Sequence, residues 1–74
     1  MNTEQLLKEF GTHLKIIRKE KNFSQEKLAL IADLDRTYIS GVERGLRNIS
    51  LVNIFKIAKA LELPPSELFK FGEK

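Results

Sequence analysis

A chain of 74 residues with 42 % hydrophobic content has room for one domain, a compact bundle with little apolar surplus. It contains no cysteine, which excludes a disulfide framework and any cysteine-ligated zinc site, so association with a second copy is the natural way to add buried area. The formal net charge of +3 leans toward a polyanionic partner. The opening Met1-Asn2-Thr3-Glu4-Gln5 lacks the basic-then-apolar layout of a secretory leader, and no apolar run reaches membrane-spanning length. A cytoplasmic protein with no membrane partner is therefore expected.

The first element is an amphipathic helix whose stripe is Leu6, Phe10, Leu14 and Ile17. Thr3 is placed to cap it, and it ends around Lys21-Asn22. Ser24 caps a second, short helix with Leu28, Ala29 and Ala32 on its inner face. Asp33-Leu34-Asp35 reads as a tight turn, with Asp35 capping a third helix of roughly residues 36–44. Gly45 is a natural left-handed stop. After a loop over residues 46–49, Ser50 caps a fourth helix with the stripe Leu51, Ile54, Ile57, Ala58 and Leu61. Pro64-Pro65 breaks the chain and opens a last short helix carrying Leu68 and Phe69, with Phe71 near its end. The expected fold is all-α: one domain over residues 1–74, a compact five-helix bundle.

The second and third helices meet the requirements of a helix-turn-helix at about residues 25–44. Such a pair needs a small residue at the closest approach, a residue tolerant of left-handed backbone in the turn, and apolar anchors on the second helix. Ala29 supplies the first and Asp33 the second; Leu34, Ile39 and Val42 are the anchors. Aspartate stands where glycine is usual, and it is among the few residues that reach left-handed space at modest cost.

At about 100° per residue, the third helix divides into two faces. Ile39 and Val42 point inward, bordered by Tyr38. Arg36, Thr37, Ser40, Gly41 and Arg44 form an outward face that is polar and cationic, with no acidic member. Three of the four arginines, Arg36, Arg44 and Arg47, cluster here. A helix that enters the major groove needs these groups: a guanidinium for guanine, hydroxyls for base edges or phosphates, and a methyl group for thymine. Gln25, at the start of the second helix, can hold a phosphate with help from the positive helix end. His13 stands alone and reads as a surface histidine. No Ser–His–Asp spacing, glycine-rich phosphate loop or carboxylate pair appears, so no enzyme, cofactor or metal site is expected.

Ser24-Gln25-Glu26, Leu28-Ala29, Ile39-Ser40, Glu43-Arg44-Gly45, Ser50-Leu51 and Ile57-Ala58-x-Ala60-Leu61 together resemble the Cro/C1-type (XRE) helix-turn-helix family, the lambda-repressor-like fold, over about residues 10–69. Residues 34–44, Leu-Asp-Arg-Thr-Tyr-Ile-Ser-Gly-Val-Glu-Arg, are similar to the recognition segment of restriction–modification controller proteins. The resemblance implies a homodimer bound to a pseudo-palindromic, double-stranded operator upstream of its own and the endonuclease gene. It further implies activation by contact with RNA polymerase at low occupancy and repression when more dimers bind. Carried over position by position, Arg36, Thr37 and Tyr38 read bases with support from Ser40. Arg44, Arg47 and Asn48 hold phosphates. Arg18 and Glu43 fall where the family places a structural ion pair. A phage-type or chromosomal repressor, or an antitoxin-like interaction module, remains an alternative reading.

A dimer interface is expected away from the third helix, on the fourth helix and the C-terminal helix. Those elements carry the surplus apolar residues Phe55, Leu68, Phe69 and Phe71.

Overall fold

The computed structural model describes residues 2–72; residues 1, 73 and 74 of the span read as one domain lie outside it. Among the described residues the chain is helical, with no strand: α1 (Thr3–Glu20), α2 (Gln25–Ala32), α3 (Arg36–Glu43), α4 (Leu51–Ala60) and a C-terminal 3-10 helix (Pro65–Phe69). The expectation of five α-helices is corrected at the last element. Its first residue is a proline with no N–H, and its five residues close a tighter turn, with Glu67 N–H donating to Pro64 O at 3.0 Å.

Three helices begin on a side-chain cap. Asn2, rather than the expected Thr3, accepts from Gln5 N–H at 2.7 Å. Ser24 accepts from Lys27 N–H at 3.0 Å and Ser50 from Asn53 N–H at 3.1 Å. Asp35 holds the capping position of α3 by backbone geometry, but its side chain makes no capping bond.

All four α-helices end the same way, with one residue in left-handed space: Asn22 (φ 63°), Asp33 (φ 59°), Gly45 (φ 75°) and Glu62 (φ 58°). The next residue then donates its N–H back across the last turn. Phe23 donates to Arg18 O at 3.1 Å, Leu34 to Ala29 O at 2.8 Å, Leu46 to Gly41 O at 2.9 Å and Leu63 to Ala58 O at 2.9 Å. Phe23, Leu34 and Leu63 lodge against the core, so these stops also set the angle at which the chain leaves each helix.

The core is one cluster. Phe10, Leu14 and Ile17 come from α1, Leu28, Ala29 and Ala32 from α2, and Ile39 and Val42 from α3. Ile54, Ile57, Ala58 and Ala60 come from α4, joined by Leu61 and Leu68. Helix α1 packs on α3 and the 3-10 helix, α2 on α3 and α4, and α4 on the 3-10 helix. Leu6 and Leu51, both expected in inward stripes, are instead exposed, Leu51 at 70 %. Both lie in the first turn of their helices. Side chains lean toward the helix N-terminus, so they overhang the end of the core.

Gly11 marks a close helix contact. A Cβ there would stand 2.6 Å from Glu43 O and closer still to Val42 O, so α1 lies backbone-to-backbone against the end of α3. Helix α3 is thus clamped by α1 and α2, and its remaining side faces solvent.

Candidate nucleic-acid interface

The three-residue turn Asp33-Leu34-Asp35 swings α3 out from α2 through the left-handed Asp33. On the outer side of α3, Arg36 and Thr37 are exposed and Tyr38 and Ser40 half-buried. Arg44 is exposed at the helix C-cap, and Arg47 and Asn48 are exposed in the loop that follows. Of these, Tyr38 and Arg47 are in contact, while Asn48 lines a small pocket with Leu6, Leu7, Phe10 and Ile54. The acidic residue of α3 itself, Glu43, is turned inward and buried, so the outward helix surface is cationic.

Arg47 does not extend freely into solvent. Its guanidinium carbon lies 5.0 Å from the centre of the Tyr38 ring, a cation–π contact. Its aliphatic stem runs over Gly41, where a Cβ would stand 2.7 Å from Arg47 Cγ. Gly41 was expected on the open face; it is buried because Arg47 covers it.

Behind this face is a buried polar joint. Arg18 Nε donates to Glu43 Oε2 at 2.6 Å and Nη2 to Oε1 at 3.0 Å, while Nη1 donates to Phe23 O at 2.7 Å. Gln25 Nε2 donates to Glu43 Oε1 at 3.0 Å. The side chains of Arg18 and Glu43 are 7 % and 2 % exposed. Among the described residues no buried side-chain nitrogen or oxygen lacks a partner. One joint therefore ties together α1, the first residue of α2 and the last residue of α3. One N–H of the Gln25 side-chain amide is engaged in it, which leaves the second amide N–H and the backbone N–H for an anion.

A helix-turn-helix family model matches residues 14–68. The chain is 57 % identical over 63 residues to the control protein C.BamHI of Bacillus amyloliquefaciens, covering 84 % of this chain and 78 % of that one. It is 54 % identical over 66 residues to the control protein C.MunI of a Mycoplasma species, covering 88 % and 89 %. The crystal structure of the restriction–modification controller protein C.AhdI from Aeromonas hydrophila superposes with a TM-score of 0.87 at 54 % identity, over 88 % of this chain and 98 % of that one. The chain belongs to the helix-turn-helix family of restriction–modification controller proteins. A further member, C.Esp1396I, superposes with a TM-score of 0.80 at 43 % identity, over 88 % of this chain and 86 % of that one. That structure is of the C.Esp1396I tetramer in complex with its natural 35 base-pair operator.

In this controller-family chain the residues expected at a dimer interface fall in three places. Leu68 is corrected outright: it is 1 % exposed and belongs to the core of the protomer, because the 3-10 helix folds back onto α1 and α4. Phe69 and Phe71 set their rings 5.9 and 6.0 Å from Phe10, covering the start of α1. Phe55 stands apart on α4 and lines a shallow apolar groove with Leu51 and Val52, flanked by Lys56 and Lys59. All three apolar residues of that groove are more than half exposed. Leu51 and Val52 were missed as surface residues; their signal was position in the first helical turn. His13, read as a surface residue, is half-buried, with Nε2 2.8 Å from Glu67 O and its ring 5.9 Å from Phe71. Among the described residues no helix is long and apolar enough to cross a membrane, and no group of acidic or histidine side chains could hold a metal ion.

Proposed function

We propose that this chain is a sequence-specific DNA-binding transcriptional regulator that acts as a restriction–modification controller protein. The observation that carries the reading is the cationic outward face of α3, backed by the buried Arg18–Glu43 joint that fixes its orientation. It is supported by the likeness to C.Esp1396I, whose structure includes its operator. One domain carries the activity, with the helix-turn-helix at about residues 25–44.

In this reading α3 enters the major groove. Arg36, exposed at the helix N-terminus, offers a guanidinium fork to guanine O6 and N7. Thr37 supplies a hydroxyl and a methyl group, Tyr38 probes a neighbouring base, and Ser40 supports them. Arg44, Arg47 and Asn48 hold phosphates, joined by the Gln25 backbone N–H at the start of α2. These contacts position the helix and give affinity that falls with salt.

One recognition helix spans too few base pairs to define a genomic site, so the chain binds as a two-fold dimer. Its two α3 helices then lie about 34 Å apart on one side of the duplex. The self-complementary patch is the α4 groove of Leu51, Val52 and Phe55, since it lies off α3 and has no partner within the protomer. The operator lies upstream of the chain's own gene and of an endonuclease gene. At low occupancy the dimer recruits RNA polymerase by contact, and further dimers at higher occupancy repress.

Selection of bound duplexes from a randomised library tests the function. Enrichment of a two-fold symmetric motif with half-sites about 10 base pairs apart is expected. Recovery of no motif above the input would overturn it.

A further inference from the structure

We infer that Gly41 is a positioning residue for DNA binding, a seat that holds Arg47 stacked on Tyr38 so that the two side chains meet DNA as one preassembled unit. The inference rests on the reading that α3 and its following loop face DNA.

Glycine is disfavoured in a helix interior relative to alanine, so Gly41 needs a local reason. Backbone conformation is not the reason, since Gly41 is not among the residues with positive φ. Room within the fold is not the reason either. The three atoms nearest to a Cβ at position 41 are Arg47 Cγ, Cδ and Cβ, at 2.7, 3.5 and 3.9 Å. The space that glycine leaves is filled by one side chain from the next loop. Gly11 differs, because there a Cβ would meet the backbone of α3.

Tyr38 and Gly41 are three residues apart on α3 and so neighbours on its surface. With its stem lying over Gly41, Arg47 brings its guanidinium over the Tyr38 ring. A guanidinium held over a ring carries five N–H donors, and those at its rim stay free to donate to a phosphate. An arginine on an exposed loop loses rotamer freedom when it binds, and a seat removes part of that loss beforehand. The Tyr38 ring is likewise held, so the base-facing and phosphate-facing side chains are coupled. An alanine at position 41 removes the seat and leaves the helix.

The test compares wild type, Gly41→Ala, Arg47→Ala and the double variant. Tyr38 is the one tyrosine and tryptophan is absent, so the Tyr38 ring resonances report the stack directly. Each protein is also melted and titrated onto a labelled mixed-sequence duplex. Gly41→Ala is expected to shift the Tyr38 ring resonances as Arg47→Ala does and to keep or raise the melting temperature. Its affinity for the duplex should fall roughly 3- to 10-fold, the ordering entropy of one long side chain. In the Arg47→Ala background Gly41→Ala should cause no further loss. Unchanged ring resonances, an unchanged affinity beside a binding wild type, a loss that persists without Arg47, or a lowered melting temperature would each overturn the inference. A wild type that binds no duplex at all would overturn the parent reading instead, while the ring resonances would still decide whether Gly41 seats Arg47.

Discussion

Glu43 ends α3, yet both of its carboxylate oxygens are taken by residues of α1 and α2, with Arg18 on Oε2 and on Oε1 and Gln25 on Oε1. The joint fixes the angle of α3 from behind, where DNA cannot reach it. Arg18→Ala would strand the Glu43 carboxylate in a site that excludes water. That should cost about 3–5 kcal/mol, a large share of the roughly 5–15 kcal/mol available to a small domain. Urea unfolding of Arg18→Ala, Glu43→Ala and the double variant measures it. The double variant should lose clearly less than the sum of the singles; additivity within about 0.5 kcal/mol would remove the coupling.

Gly11→Ala should destabilise the fold by about 1–3 kcal/mol, the range for forcing extra volume into a packed contact. The atoms it would strike are the carbonyl oxygens of Val42 and Glu43, and backbone does not step aside as a side chain can. Thermal melts should therefore show a lowered melting temperature for Gly11→Ala and an unchanged or raised one for Gly41→Ala. Equal melting temperatures for Gly11→Ala and wild type would show that α1 and α3 separate without penalty.

Much of this architecture was legible in the residues. Ser24 and Ser50 announced two helix starts, and Asp33 and Gly45 two left-handed stops, because their side chains, or lack of one, suit those backbone positions directly. The end of α1 at Asn22 was also placed, since asparagine tolerates left-handed backbone, but the stop at Glu62 was not legible. Glutamate has no special tolerance for positive φ there, and the fold imposes it by lodging Leu63 in the core. Gly11 carried no local signal, since its role depends on which helix lies above it. The same limit applied at the surface. Periodicity assigned Leu51 to the core and left Leu68 for an interface. Only the overhang of the first turn of α4 and the fold-back of the 3-10 helix show the reverse. Gly41 was legible as an anomaly in a helix but not as the seat of Arg47, six residues further on.

The dimer should depend on α4. Phe55→Ala removes the largest side chain of the exposed Leu51–Val52–Phe55 groove and should weaken self-association by about 2–4 kcal/mol if it is the central anchor. Phe69→Ala should weaken it less, since that ring already packs on Phe10. Sedimentation equilibrium of the three proteins decides. A wild-type dimer that Phe55→Ala leaves intact would move the interface off α4.

The central claim, that the outward face of α3 reads DNA sequence, is tested most directly by titrating wild type and Arg36→Ala onto the selected duplex and onto variants of it changed at one base pair at a time. Arg36→Ala should lose about 1–3 kcal/mol on the selected duplex. It should also cease to discriminate at one position in each half-site while discriminating as before at the others. A loss of equal size on every duplex, mixed-sequence DNA included, would contradict the account, because it would make Arg36 a phosphate contact and leave α3 without its principal base-reading side chain.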